Sequence, residues 1–123
     1  MINSFLPSLE KLEHAGIVNI LSLGALAIVK RLGTYCASKA ASHVLTETIR
    51  EELAEKNIKV MATYIGYVDT SMVSEETKTE KSTPKNIAIG ICNGINNNES
   101  YIYPDKTTKD YIKDNPVNTI FYD

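Results

Sequence analysis

The sequence lacks a surplus of positive charge. Its 123 residues include 13 Lys and Arg against 15 Asp and Glu, which gives a formal net charge of −2. Proteins that bind nucleic acids neutralise phosphates with a basic excess, so this balance argues against nucleic acid as a partner. Hydrophobic residues make up 43% and charged residues 23% of the chain, which is ordinary for one soluble globular domain.

Cysteine and histidine are scarce. The chain has two cysteines, Cys36 and Cys92, and two histidines, His14 and His43. Their number excludes a disulfide framework, and their positions do not match the usual spacing of a Cys/His metal site. We therefore expect no bound metal and two reduced thiols in a cytoplasmic protein, with Cys92 in the core.

The sequence also has no apolar run long enough to cross a membrane, and no secretory signal at its N-terminus. A membrane-spanning helix needs about 20 consecutive, predominantly apolar residues. The most apolar window, Ala15–Val29, is interrupted by Gly16, Asn19, Ser22 and Gly24. We interpret this window as a buried strand that leads into a loop, and we expect no membrane partner.

Three short runs of aliphatic and β-branched residues predict strands at Ile17–Leu21, Ile58–Ile65 and Ser100–Tyr103. These runs show no strict alternation with polar residues, which is typical of strands covered on both faces in a parallel sheet. The first strand would leave an exposed apolar edge unless another segment or chain covers it.

Predicted helices separate the strands. They are a helix end at Pro7–Glu13 stopped by Gly16, a helix from an N-cap at Thr34 to about Asn57, and a helix opened by Thr83 and Pro84. This alternation predicts an α/β fold with a parallel sheet and right-handed crossovers over residues 1–104. We expect residues 105–123 to form a polar tail and the charged segment Ser74–Ser82 to be mobile.

Apolar residues at helical spacing predict the buried faces of two helices. The residues predicted to face the core are Ala41, Val44, Leu45, Thr48, Ile49 and Leu53 on one helix and Ile87, Ala88, Ile91, Cys92 and Ile95 on the next. The polar residues His43, Glu47, Arg50 and Glu51 lie largely off the first of these faces.

Tyr35 and Lys39 stand four residues apart and share one face of a helix. A phenol has an ordinary pKa near about 10, and a nearby ammonium favours the phenolate and lowers that pKa. The pair is therefore a coherent acid–base unit. The same spacing also occurs on helices that have no catalytic role, so the pair alone leaves both interpretations open.

Other functional groups follow two of the predicted strands. Ser22 stands at the carboxyl end of the first strand, and Gly66 and Thr70 follow the second. Ligands of open α/β sheets bind at the carboxyl ends of the strands. Glycine also permits a tight turn and a close approach of the backbone to a ligand. The sequence therefore predicts one site at this rim of the sheet.

These segments together resemble the short-chain dehydrogenase/reductase family. Gly16–Ser22 is similar to the strand that leads to the family's active-site serine, and Tyr35–Ala41 is similar to its Tyr-x-x-x-Lys helix. Ile49–Leu53 followed by Ile58–Val60 resembles its Arg-x-Glu-Leu and I-x-V passage. Gly66–Met72 resembles its Pro-Gly-x-Val-x-Thr-x-Met loop. The resemblance runs from about Ile2 to Pro104.

The resemblance implies a partial Rossmann-like, doubly wound fold with about three parallel strands, and an oxidoreductase that interconverts a carbonyl and an alcohol with NAD or NADP. Tyr35 would exchange the proton, Lys39 would hold the nicotinamide ribose and lower the tyrosine pKa, and Ser22 would bind the substrate oxygen. The implied contacts to the cofactor come from Tyr35, Lys39, Gly66, Tyr67, Val68 and Thr70.

The sequence departs from the family in two respects. Ile65 stands where the family usually has proline, which loosens the turn before Gly66. The glycine-rich phosphate loop and the residue that selects NAD or NADP, which belong to the family's N-terminal half, are not found. Two hypotheses follow: a short-chain oxidoreductase whose other half is supplied elsewhere, or a non-catalytic interaction module. The implied partners are a small carbonyl or alcohol substrate and a second copy or a complementing chain.

Overall fold

The predicted strands form one parallel sheet in the computed structural model, which describes residues 2–70 and 80–116. The elements are, in chain order, α1 (Ile2–Leu9), β1 (Ala15–Ser22), a 3-10 turn (Leu23–Ala25), α2 (Gly33–Glu52), β2 (Ile58–Ile65), α3 (Pro84–Asn96), β3 (Tyr101–Ile102) and α4 (Lys106–Asp114). None of the described helices is both long enough and apolar enough to span a membrane.

The sheet has the order β1-β2-β3, and both strand pairs are parallel. β1 pairs with β2 along its whole length, from Ala15 opposite Ile58 to Ser22 opposite Ile65. β3 pairs with Ala62 at the middle of β2. The central position of β2 explains why its sequence is apolar almost without interruption, and the expected α/β fold with a three-stranded parallel sheet is confirmed.

The core has two parts along β2. Leu53, Ile58 and Val60 form one cluster, against which residues of α1, β1 and α2 pack. Ala62 and Tyr64 form the second cluster with Leu21, near the carboxyl ends of the strands. The second cluster supports the rim at which the sequence predicts a functional site.

The first helix has different bounds from those predicted. It spans Ile2–Leu9 and so ends at Leu9 rather than at the predicted Glu13, and Gly16 lies inside β1 instead of stopping the helix. Proline has no N–H, so Pro7 removes the hydrogen bond to the Asn3 carbonyl and weakens this short helix. Gly16 instead makes room for a core side chain, because a Cβ at this position would lie 3.0 Å from Cε of Met61.

The second helix turns a different face to the sheet from the one predicted. Val44 and Leu45 are 61% and 62% exposed, whereas Glu47 is buried and Arg50 is half-buried. The prediction that Glu47 lies off the buried face is wrong: its carboxylate is buried, accepts a hydrogen bond from the Tyr101 hydroxyl on β3 and pairs with Arg50 on α2 itself. The predicted N-cap at Thr34 is also wrong: α2 begins at Gly33, and its N-cap Leu32 makes no side-chain cap.

The third helix starts as predicted but packs differently. The Thr83 hydroxyl accepts a hydrogen bond from the Asn86 amide at 3.2 Å, which confirms the predicted N-cap before Pro84. Cys92 is exposed, so its predicted place in the core is wrong. Close packing occurs instead at Gly94, where a Cβ would lie 2.7 Å from the side chain of Ile102.

The segment expected to be a polar tail contains a helix. α4 begins after Asp105, whose carboxylate accepts a hydrogen bond from the Thr108 amide at 2.8 Å. Residues 117–123 of that segment lie outside the described residues. Most of Ser74–Ser82, for which we predicted mobility, also lies outside them, but Ser82 pairs with Val68 in a parallel bridge.

The outer edge of β1 predicts self-association of the chain. Among the described strands only β2 pairs with β1, and Ile20 on β1 is 53% exposed. An apolar strand with unpaired backbone groups is a template for pairing between chains. We expect the purified chain to aggregate in light scattering, and Ile20→Lys to reduce aggregation because charge blocks strand pairing. A monodisperse wild-type monomer with a sharp thermal transition would contradict this prediction.

Candidate active site

Ser22 ends β1 and turns the chain into the 3-10 turn. Its hydroxyl oxygen accepts a hydrogen bond from the Gly24 amide at 3.1 Å, which caps the turn. A serine hydroxyl has one donor and two acceptor positions, so this contact leaves its hydrogen available for a ligand. The local fold thus fixes the Ser22 oxygen at the carboxyl end of the sheet.

Tyr35 and Lys39 lie in the first turns of α2, as the sequence predicts. The Lys39 ammonium is 5.5 Å from the centre of the Tyr35 ring, within the range of a cation–π contact. Tyr35 is 39% exposed, so a substrate can reach it from solvent. The helix therefore presents a phenol and a cation together.

Gly24 brings the serine and the tyrosine into one site. A Cβ at Gly24 would lie 3.1 Å from Cε1 of Tyr35 and 3.4 Å from Oγ of Ser22. A side chain at position 24 would crowd the Tyr35 ring. Because glycine has none, α2 can bring Tyr35 next to the end of β1. The structure thus brings Ser22, Tyr35 and Lys39 together at one rim.

The loop after β2 borders the same rim. Ile65 pairs with Ser22 across the sheet, so Gly66 follows directly beside the serine strand. Beyond it, the Ser82 amide donates to the carbonyl of Tyr67 at 2.9 Å, and Val68 bridges to Ser82. Thr70 is exposed, and none of the described contacts joins it to Ser22 or Tyr35.

A cluster of buried polar side chains lies beneath α2, and sequence reasoning missed it. The hydroxyl of Tyr101 donates to Oε2 of Glu47 at 2.8 Å, and Arg50 forms an ion pair with the same carboxylate. Nδ1 of His43 lies 2.7 Å from the hydroxyl of Tyr64 and 3.9 Å from Oε1 of Glu47. His43 follows Lys39 by one helical turn, so this cluster borders the candidate site.

Burial changes the acidity of two tyrosines in this region. Burial, and secondly the negative charge of Glu47, raise the pKa of Tyr64 far above its usual value. Burial also raises the pKa of Tyr103, which stacks on Tyr64 with the ring centres 5.8 Å apart. Tyr64 therefore stays a neutral phenol at any ordinary pH and acts as a hydrogen-bonding group.

The raised pKa of Tyr64 predicts a loss of stability in alkali. An unfolded tyrosine ionises near about pH 10, whereas folded Tyr64 keeps its proton there. Stability is therefore complete below that pH and falls above it, by up to about 1.4 kcal/mol per pH unit for this group. We expect urea unfolding of Tyr64→Phe to depend less steeply on alkaline pH than that of the wild type. The expectation would be contradicted if the free energies of unfolding of the wild type and of Tyr64→Phe changed equally with alkaline pH.

The same region offers no group of metal ligands. Within residues 2–70 and 80–116, no three His, Cys, Asp or Glu side chains lie close enough to hold a metal ion together. The donors at the rim are instead a hydroxyl, a phenol, an ammonium and backbone amides. This set suits a polar organic ligand with an oxygen atom to protonate.

Curated relatives of the chain are oxidoreductases. An uncharacterised oxidoreductase of Staphylococcus saprophyticus is 35% identical over 89 residues, which cover 71% of this chain and 38% of that relative. An uncharacterised oxidoreductase of Staphylococcus aureus is 32% identical over 85 residues, which cover 68% of this chain and 37% of that relative. The chain thus spans about two fifths of the length of these relatives.

Solved structures share the fold. A short-chain dehydrogenase from Burkholderia cenocepacia in complex with NADP matches with a TM-score of 0.82 and 25% identity, over 92% of this chain and 48% of that one. A short-chain dehydrogenase/reductase from Burkholderia phymatum in complex with NAD matches with a TM-score of 0.70 and 19% identity, over 98% of this chain and 57% of that one.

The family model for short-chain dehydrogenases matches residues 1–81. This range contains Ser22, Tyr35, Lys39 and Gly66, which the structure places at one rim, whereas α4 lies beyond it. The match, the oxidoreductase relatives and the shared fold agree with the resemblance found in the sequence. The chain belongs to the short-chain dehydrogenase family.

Proposed function

We propose that this chain carries the acid–base half of an NAD- or NADP-dependent oxidoreductase that interconverts a carbonyl and an alcohol. The observation that carries the proposal is the convergence at Gly24, where the Ser22 hydroxyl and the Tyr35 ring border the same space. Lys39 adds a positive charge beside the phenol. The substrate is a small molecule with one carbonyl or hydroxyl group at this rim.

Each of the three side chains has a distinct role in this proposal. The nicotinamide cofactor, when bound, supplies or accepts the hydride. Ser22 donates a hydrogen bond to the substrate oxygen, and Tyr35 gives that oxygen its proton during reduction or takes it during oxidation. Lys39 stabilises the phenolate that Tyr35 becomes, because an opposite charge nearby favours the ionised form.

The residues at the rim fit the nicotinamide end of the cofactor. Lys39 would hold the ribose, and the backbone of Gly66, Tyr67 and Val68 together with the Thr70 hydroxyl would meet the carboxamide. The sequence contains no glycine-rich loop after a strand for the pyrophosphate. NAD and NADP are equally compatible with this chain, because the residue that selects between them in the family is not found in the sequence.

The lack of a phosphate loop predicts weak binding of the cofactor. Backbone amides of that loop and the adjoining helix terminus supply much of the affinity for the pyrophosphate. We expect the isolated chain to bind NADH and NADPH with a Kd of about 1 mM or weaker. Isothermal titration calorimetry measures this value directly, and micromolar affinity would contradict the prediction.

The proposed activity is tested by restoring the phosphate-binding half. We expect a fusion of that half from a family member upstream of Met1 to reduce carbonyl compounds with NADH or NADPH, as followed by nicotinamide absorbance. The half alone serves as the control, because it lacks the candidate acid–base residues. A well-folded fusion that binds cofactor but reduces none of a broad panel of aldehydes and ketones would contradict the proposed function.

A second candidate function is a non-catalytic interaction module, which the open edge of β1 favours. In this alternative Ser22, Tyr35 and Lys39 are inherited positions without a working cofactor. The fusion experiment separates the two, because only the enzyme hypothesis predicts turnover.

The exposed Val44 and Leu45 on α2 offer a further apolar surface for a second copy or a complementing chain. We place the protein in the cytoplasm, consistent with its two free thiols.

A further inference from the structure

Asp105 lies buried between α4 and the loop after β2. Its Oδ1 accepts a hydrogen bond from the Thr108 amide at 2.8 Å, which caps α4. Its Oδ2 accepts from the Thr108 hydroxyl at 3.0 Å and from the Gly66 amide at 2.9 Å. Both carboxylate oxygens are therefore in use, and one of them reaches a loop that is distant in sequence.

The side chains of Asp105 and Thr108 also fill the space that a side chain at position 66 would need. A Cβ at position 66 would lie 2.7 Å from Oδ1 of Asp105 and 3.1 Å from Oγ1 of Thr108. A side chain at this position would therefore push the loop and α4 apart. The glycine and the aspartate thus fit each other, which explains why the chain needs glycine here although its φ is not positive.

The loop is held at two points. Asp105 restrains it at Gly66, and Ser82 pairs with Tyr67 and Val68 one step further along. Ile65 before the glycine has a free φ, unlike proline, so the backbone itself does not fix the direction of the turn. The buried hydrogen bond from Asp105 supplies that restraint from outside the loop.

We propose that Asp105 is a positioning residue, which acts through the Gly66 amide to hold the loop in the shape that receives the nicotinamide. This inference rests on the proposed function, and it adds a residue from the segment beyond the family match over residues 1–81. A carboxylate suits this role, because hydrogen bonds to a charged acceptor are stronger than those to a neutral one. Its two oxygens also accept from two different amides, those of Gly66 and Thr108. Asp105 does not itself touch the reacting atoms.

The test uses Asp105→Ser in the full chain, with Ile20→Lys present in every sample, the wild-type reference included, to limit aggregation. Serine still caps a helix, so α4 is retained, but its hydroxyl is one bond shorter and does not span to the Gly66 amide. Asp110→Ser is the matched control, since it makes the same change at an exposed carboxylate of the same helix. Circular dichroism confirms that each variant is folded.

Two readouts decide the proposal. We expect hydrogen exchange of the Gly66 amide, measured by NMR, to be about tenfold faster in Asp105→Ser and unchanged in Asp110→Ser. We also expect the Kd for NADH, obtained from the shifts of the Gly66 and Val68 amides at millimolar nucleotide, to rise about fivefold. Unchanged exchange, or faster exchange with an unchanged Kd, would overturn the positioning role.

Failure of the proposed function gives a different result. If the folded fusion with the phosphate-binding half binds cofactor but reduces no carbonyl compound, the proposed function fails and the positioning role fails with it. If the wild type responds and Asp105→Ser responds equally, only the role of Asp105 fails. Should Asp105→Ser not fold, Asp105→Asn replaces it. The Gly66 and Thr108 amides donate to different oxygens of Asp105, whereas asparagine has one acceptor oxygen and no charge. We expect faster exchange at Gly66 in this variant, and unchanged exchange there contradicts the proposal.

Discussion

Replacing Tyr35 by phenylalanine in the fused, complete enzyme is expected to lower carbonyl reduction by about 10²–10⁴-fold, the usual contribution of a general acid–base group. The substitution removes the proton that the ring oxygen would deliver and keeps the ring that packs beside Gly24. The loss should appear in kcat, because the hydroxyl acts in the transition state rather than in binding. Initial rates at saturating cofactor measure the effect.

Three further variants show whether the loss is specific. Tyr111→Phe is the matched control, since the Tyr111 hydroxyl donates to the Leu26 carbonyl at 3.2 Å, and its activity should be unchanged. Lys39→Ala should lower both turnover and cofactor binding, whereas Ser22→Ala should lower turnover alone. If folded Tyr35→Phe retained most of the activity, the acid–base role of Tyr35 would be wrong, and the family membership would be unaffected.

The three strands and the helices between them could be predicted because they depend on local apolar runs, whereas α4 in the expected polar tail could not. Ile58–Ile65 is apolar since it lies at the centre of the sheet, and this burial is visible in the sequence itself. The cap of α3 at Thr83 could be predicted for the same reason, because its donor and acceptor lie three residues apart. The placement of Ser22 and Gly66 at one rim followed from the rule that functional groups gather at the carboxyl ends of parallel strands, whereas the resemblance to the family placed Tyr35 beside Ser22.

The buried face of α2 could not be predicted in this way. Apolar spacing favours burial of Val44 and Leu45, yet the helix buries Glu47. Burial of a carboxylate is tolerated only where partners satisfy it, and one of those partners, Tyr101, lies on β3, far away in sequence. The same limit applies to Asp105, which looks like part of a polar tail until the fold brings it to Gly66.

Arg50 holds the buried carboxylate in place and also ties α2 to β2 and to the residue before β3. Its guanidinium pairs with Glu47, donates to the Val60 carbonyl at 3.0 Å and to the Ser100 carbonyl at 3.1 Å, and lies 4.4 Å from the centre of the Tyr101 ring. Removing the cation leaves a buried negative charge and two carbonyls without these donors. The cost of such an uncompensated charge is much larger than the net value of the ion pair itself.

We therefore expect Arg50→Met to destabilise the chain by about 3–5 kcal/mol, a large part of the total stability of a small domain. Adding Glu47→Gln should recover much of this loss, since the amide removes the charge and still accepts the Tyr101 hydroxyl. Lys113→Met, at an exposed pair with Asp110, is the matched control and should change stability by less than about 0.5 kcal/mol. Urea unfolding followed by circular dichroism gives all three values. A loss below about 1 kcal/mol for Arg50→Met, or a double variant less stable than the single one, would show that the Glu47 carboxylate does not depend on this partner.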